Sequence, residues 1–284
     1  MAATVLHTND MKETYMVSRN LPTIWCEGCG IGTVLASVMR AIHKLEIARQ
    51  DVAFAIGIGC SGYSSRYVNF DVGHISHGRA IAAATGMKLA KPNMKVVVLT
   101  GDGDCTAIGG NHFIHAARRN IDITTIIFNN NIYGMTGGQY SPATPFGSIT
   151  TTSPFGMTEG QIDPCELAKA AGATFVARSS TFHVNHLIDV IAEAITHPGF
   201  SVVEALTQCP NQFGKLNKLG TPTNMMLAFK EKCVRVDGPR PKSAAEIVAA
   251  GKTPIGILHR GDRPEFTAEY EKVRTAAKDR AASR

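Results

Sequence analysis

No stretch of the 284-residue chain holds 18 consecutive apolar residues, and no charged-then-apolar leader ending in small residues opens it. The expectation is a cytoplasmic protein that does not enter a membrane. Internal repeats and low-complexity tracts are absent too, which leaves an ordinary folded domain. Cysteines do not pair evenly: there are seven, and an odd number without a secretion signal argues against a disulfide framework and for metal or redox use. Acidic residues are the minority charge, 23 against 29 Lys and Arg, for a net +6. The clearest local source is the tail "EYEKVRTAAKDRAASR", with Lys272, Arg274, Lys278, Arg280 and Arg284. It reads as a solvated terminal helix rather than a nucleic-acid patch. A basic surface also suits anionic small molecules or an acidic protein partner.

What is present is enough apolar residue, 44%, for the core of one large α/β domain. Apolar runs alternate with helical patterns, the signature of a mainly parallel sheet flanked by crossover helices. Helices are expected over 31–48, along the small-residue segment after "SHGRA", over 111–120, 164–171 and 182–196. Strands are expected at 52–58, 95–100, 123–131, 174–179 and 200–206. A loop rich in Gly, Pro, Ser and Thr covers 134–160. After Thr207 the pattern weakens, and Pro210, Pro222, Pro239 and Pro241 punctuate it. The expected organisation is an N-terminal extension (1–19), an α/β domain (20–206) and an irregular C-terminal extension (207–284).

The unusual residues fall at the ends of strands. "GCSG" with Cys60, "GDGD" (101–104), "NNN" (129–131) and "TQCP" with Cys209 each follow one. In an open parallel sheet ligands bind beyond the carboxyl ends of the strands, so all four segments belong on one edge. "TIWCEGCGIG" (23–32) carries Cys26 and Cys29 just before a helix whose N-terminus faces that edge. A C-x-x-C pair is a redox dithiol, half a zinc site or half an iron–sulfur site, depending on where its partners lie. Solitary partners far apart in sequence favour a cluster over a zinc knuckle. Cys105, Cys165 and Cys233 read as buried thiols outside the constellation.

"GDGD" and the following "NN" leave 25 residues between Gly103 and Asn129. Asp102 at a strand end offers a carboxylate to a hard divalent cation, and Asn130, returned by a helix and a strand, offers an amide oxygen to the same ion. The glycines admit a diphosphate, and the next helix N-terminus adds amide donors.

This pairing resembles the signature of thiamine diphosphate enzymes, which implies Mg²⁺ held by Asp102, Asn130 and the Ile132 carbonyl. The full set "WCEGCG", "GIGCSG", "SHGRA", "GDGD", "NNNIYGMTGGQYSP" and "TQCP", over about residues 20–220, resembles the β subunits of 2-oxoacid:ferredoxin oxidoreductases. By that resemblance Cys26, Cys29, Cys60 and Cys209 bind one 4Fe–4S cluster. Thiamine diphosphate would contact Cys60, Ser61 and His77, the turn of Gly101, Asp102, Gly103 and Asp104, and Asn130, Ile132, Tyr133, Gly134 and Met135. His77 is a candidate catalytic residue or a helix cap, Arg79 a candidate for the anionic substrate or a loop brace, and Gln139 a support of the cofactor loop.

The implied activity is oxidative decarboxylation of a 2-oxoacid, with coenzyme A taking the acyl group and ferredoxin the electrons. "HGRA" and "GGQYSP" are more similar to the two-subunit enzymes acting on 2-oxoglutarate than to pyruvate-specific ones. In this family the Glu that activates the cofactor lies in a separate pyrimidine-binding domain. A larger α subunit is therefore expected to supply it, in an α2β2 assembly. The alternatives are a non-redox decarboxylase subunit with structural zinc and a non-catalytic scaffold subunit.

Overall fold

The computed structural model describes residues 13–239 and 241–283. Among them lies one eight-stranded sheet. In chain order its strands are β1 (Val52–Ile56), β2 (Asp71–His74), β3 (Lys95–Gly101), β4 (Thr124–Asn129), β5 (Phe175–Ser180), β6 (Ser201–Leu206), β7 (Cys233–Arg235) and β8 (Thr253–Arg260). Their spatial order is β2-β1-β3-β4-β6-β5-β8-β7. Every pairing is parallel except that of β5 with β8.

Helices α1 (Ile31–Lys44) and α5 (Val184–Thr196) cover one face. In α1, Ile31, Val34, Leu35, Val38 and Ile42 recur at three- and four-residue spacing, so one stripe is buried. Burying one Leu or Ile side chain contributes roughly 1.5–3 kcal/mol, so a charge at Leu35 would break this packing. Helices α2 (Ala80–Ala90), α3 (Gly110–Arg119) and α4 (Pro164–Ala171) cover the other face. Ala80 and Ala84 let α2 lie close to the strands, whereas Phe113 of α3 fills a larger gap. With both faces covered, β1, β4 and β5 are buried at every residue, which explains the unbroken apolar run of β1 and the apolar stretches Ile126–Phe128 and Phe175–Ala177.

β1 has β2 on one side and β3 on the other, so the strand order reverses between β1 and β3. "GCSG" and "GDGD" follow these two strands, at the switch point where an open α/β sheet leaves a crevice. The strands stop earlier than their apolar runs. β1 ends at Ile56, and β4 ends at Asn129 because Asn131 turns left-handed with φ 63°. Two wide π-type turns, Asp104–Ile108 and Pro210–Gly214, begin at the last residue of "GDGD" and directly after Cys209. Such turns are frequent at functional sites.

The expectation of an irregular C-terminal extension is corrected. Residues 222–282 hold α6 (Pro222–Lys232), β7, α7 (Ala244–Ala249), β8 and α8 (Phe266–Ala282). Pro254 and Gly256 interrupt the strand pattern of β8 in sequence, and Gly256 has φ 120°. Pairing with β5, across a register shift at Val176/Ala177, overrides that local weakness. β2 is also unanticipated, because this four-residue edge strand has no buried apolar run. Residues 1–12 of the expected N-terminal extension and Arg284 of the basic tail lie outside the described residues. Among the described residues no helix is long and apolar enough to cross a membrane.

Candidate active site

A cavity of about 840 Å³ opens at the carboxyl ends of β1, β3 and β4. Its wall contains every expected cofactor contact: Cys60, Ser61 and His77; Gly101, Asp102, Gly103 and Asp104; Asn130, Ile132, Tyr133, Gly134 and Met135. A second cavity of about 280 Å³ is lined by Cys26, Cys29, Cys60 and Cys209. The two share Cys60, Asn130, Gly134 and Met135 and are therefore adjacent.

Three oxygens converge in the larger cavity. Asn130 Oδ1 lies 3.1 Å from Asp102 Oδ1 and 2.8 Å from the Ile132 carbonyl oxygen; turned the other way, the amide would donate to both. Asp102 is 2% exposed and has no Lys or Arg partner among the described residues. Burial drives its carboxyl up to about 7, against hydrogen bonds from Ser141 and backbone amides. Ser141 Oγ donates to Asp102 Oδ2, a contact that sequence reasoning missed although "GGQYSP" contains this serine. The Ser61 hydroxyl is buried and unpartnered among the described residues.

Asp104, 3% exposed, is fully engaged. Its Oδ1 accepts from the Gly78 amide (2.6 Å) and faces His77 Nδ1 at 2.9 Å, while Oδ2 accepts from Thr100 Oγ1 at 2.7 Å. A Cβ at Gly57 would stand 1.7 Å from Asp104 Oδ2, so only glycine fits there. His77 is thereby held at Nδ1, its ring 5.9 Å from that of Tyr133. Tyr133 hydroxyl donates to the Gly103 carbonyl at 3.0 Å.

The cysteines are assembled by backbone ties. Gly30 N donates to Gln208 O (3.2 Å), and Gln208 Nε2 donates to Gly28 O (3.1 Å), fastening the C-x-x-C loop to the residue before Cys209. Trp25 Nε1 donates to Cys60 O at 2.7 Å. Burial, reinforced by the neighbouring thiols, pushes Cys60 up to about 12; burial likewise pushes Cys29 up to about 11. No three of these four sulfurs lie within 4.8 Å of one another.

Not every expected residue reaches the cavity. Arg79 is exposed at the start of α2, donates to the His77 carbonyl at 2.7 Å and is absent from the wall. Gln139 does line it, bonded to Thr136 in the loop after β4. Cys105, Cys165 and Cys233 are buried outside both cavities.

Residues 57–205 match the family of thiamine pyrophosphate enzymes, C-terminal TPP binding domain. A 2-oxoglutarate synthase subunit KorB from Methanocaldococcus jannaschii is 46% identical over 259 residues, covering 91% of this chain and 95% of the relative. The chain belongs to the β subunits of 2-oxoacid:ferredoxin oxidoreductases. Subunit beta of 2-oxoacid:ferredoxin oxidoreductase 2 from Aeropyrum pernix is 36% identical, with 88% of this chain and 84% of that one covered. Among solved structures, 2-oxoglutarate:ferredoxin oxidoreductase from Magnetococcus marinus, with 2-oxoglutarate, coenzyme A and succinyl-CoA bound, superposes with a TM-score of 0.84. It is 32% identical, and the match covers 94% of this chain and 90% of that one. As a member of this oxidoreductase family, the subunit carries the thiamine pyrophosphate-binding domain on the stretch that runs from the end of β1 to β6.

Proposed function

We propose that this β subunit takes part in the oxidative decarboxylation of 2-oxoglutarate to succinyl-CoA and CO₂, with electrons leaving through a 4Fe–4S cluster to ferredoxin. The observation that carries the reading is the convergence of Asp102 Oδ1, Asn130 Oδ1 and the Ile132 carbonyl beside a four-cysteine cavity. Oxygen ligands of Mg²⁺ at 2.0–2.1 Å stand about 3 Å apart on an octahedron's edge, which the 2.8 and 3.1 Å separations match. A cation also answers the otherwise unbalanced carboxylate of Asp102.

The sulfurs fit a cluster better than zinc. Tetrahedral zinc at 2.3 Å from each sulfur holds its ligands about 3.8 Å apart, closer than any three of these four stand. A four-iron cluster takes each thiolate at a separate corner, and the 280 Å³ between the cysteines gives it room. This weighs against the reading of a non-redox subunit with structural zinc. An oxygen set fit for Mg²⁺ weighs against a scaffold.

Thiamine diphosphate and the cluster, when bound, supply the carbanion and one-electron chemistry. The chain's own residues bind and orient. Asp102, Asn130 and the Ile132 carbonyl would hold Mg²⁺, and the unpartnered Ser61 hydroxyl suits a diphosphate oxygen. His77, tied to Asp104 through Nδ1, keeps Nε2 for a proton at the substrate or cofactor. Cys26, Cys29, Cys60 and Cys209 would hold the iron. No Glu, Lys or Arg lines the larger cavity among the described residues. The activating Glu therefore comes from a larger α subunit in an α2β2 assembly, consistent with relatives named as subunits. The 2-oxoglutarate preference rests on those relatives and on the ligands of the Magnetococcus marinus enzyme.

The test is anaerobic copurification with the partner, iron and acid-labile sulfide analysis, and assay of 2-oxoglutarate with coenzyme A and a viologen acceptor. Four irons per β chain and acceptor reduction are expected. A zinc-only protein, or one that releases CO₂ without reducing the acceptor, overturns the reading.

A further inference from the structure

Asn129 precedes a proposed Mg²⁺ ligand but lines neither cavity. Its Oδ1 accepts from the Asn131 amide at 3.0 Å, bracing the left-handed turn that presents Asn130 and Ile132. Its Nδ2 donates to Glu204 Oε1 at 2.6 Å. Glu204 is 2% exposed on β6 and stands opposite Arg178 of β5. Its Oε2 accepts from Arg178 Nε at 2.5 Å and from the Cys165 thiol at 3.2 Å. Arg178, 5% exposed, also donates to Asp163 Oδ1 at 2.6 Å, and Asp163 caps α4.

The oxygens of Asp163 and Glu204 and the Cys165 sulfur lie within 4.8 Å of one another, a spacing that would suit a metal. The Arg178 guanidinium already bonds both carboxylates there and supplies the positive charge. A buried ion pair is seldom better for stability than apolar residues of the same volume, so its geometry matters more than its energy here. That geometry reaches both ends of one loop. The loop begins at Asn131, held through Asn129, and ends at Asp163, held by Arg178. Between them lie Ile132 and also Ser141, which touches the Asp102 carboxylate.

We propose that Glu204 and Arg178 form a positioning clamp that fixes the 131–163 loop at both ends and so sets Asn130 Oδ1 and the Ile132 carbonyl against Asp102. The clamp rests on the cation reading above. It acts through Asn129 and the α4 cap and touches no reacting atom. Outer partners of this kind typically govern metal affinity 10–100-fold.

The test measures Mn²⁺ binding to the full chain with thiamine diphosphate present, from the paramagnetic resonance signal of free Mn²⁺. Wild type is compared with Glu204→Gln, Asn129→Ala and the double variant. Each single variant should lose roughly 10–100-fold in Mn²⁺ affinity while keeping the wild-type circular dichroism spectrum. The double variant should lose no more than the worse single one, because both act along one path. Wild-type affinity in either folded single variant, or losses that multiply in the double, overturns the clamp. Should Glu204→Gln fail to fold, Asn129→Ala leaves the ion pair intact and decides alone. Absence of Mn²⁺ binding to the wild type sinks the cation reading itself, a different result from wild-type binding that the substitutions leave unchanged.

Discussion

Gly134 faces both Cys60 and Cys209: a Cβ on it would stand 3.4 Å from one sulfur and 3.6 Å from the other. Those are ordinary contact distances, so a methyl group fits and anything larger enters the space between the thiols. Gly134→Ala should therefore keep its iron, whereas Gly134→Leu should lose most of it. Iron per chain after anaerobic purification reads the difference. A full complement in the leucine variant would mean that the iron lies elsewhere.

Asp102→Ala should abolish Mg²⁺-dependent binding of thiamine diphosphate in calorimetry, because the only charged member of the oxygen set is lost. Asn130→Ala should weaken it less, since a neutral oxygen contributes less and water can replace it. Retention of wild-type affinity by Asp102→Ala would remove the basis of the assignment.

Cys60→Ser and Cys209→Ser should each lower the iron content and stop electron transfer to ferredoxin, the hydroxyl being a poor iron ligand at neutral pH. Cofactor binding should persist, as the cation set is separate. Cys105→Ser is the control: that thiol is 1% exposed, outside the cysteine cavity, and its loss should leave the iron in place. An intact four-iron spectrum in both ligand variants would refute the constellation.

Burial would raise the Asp163 carboxyl, but Arg178 and the Cys165 and Glu166 amides outweigh it and hold the group below the usual range. A folded-state value below the unfolded value of about 3.9 contributes stability above that pH, lost as pH falls through the depressed value. The Tm of wild type should exceed that of Asp163→Asn by a constant margin at pH 5–7, and the margin should shrink below about pH 4. A margin unchanged down to pH 3 would show that the carboxylate's charge contributes nothing.

The amino-acid sequence by itself determined the central parallel strands β1, β3, β4, β5 and β6, though not where β1 and β4 stop. Runs such as Val52–Ile56 and Thr124–Asn129 are buried on both faces, and that condition leaves a local trace in composition. It also pointed to Asp102 and Asn130 as candidate cation ligands, because "GDG" and "NN" each stand at a strand end and their spacing is one helix and one strand long. The strand-end argument placed the segments of Cys26, Cys29, Cys60 and Cys209 on one sheet edge, but their meeting in one cavity was legible only through resemblance, since no periodicity links residues 180 positions apart like Gly28 and Gln208. Tertiary structure alone decided that β8 adds to the sheet antiparallel beside β5, that Ser141 reaches Asp102, that Arg79 stays outside the cavity, and that Arg178 and Glu204 meet beneath the Asn129 turn. Each depends on contacts between segments distant in the chain. Charge, hydropathy and spacing describe a residue's immediate neighbours, whereas a buried pair is specified by the packing of the elements that bring it together.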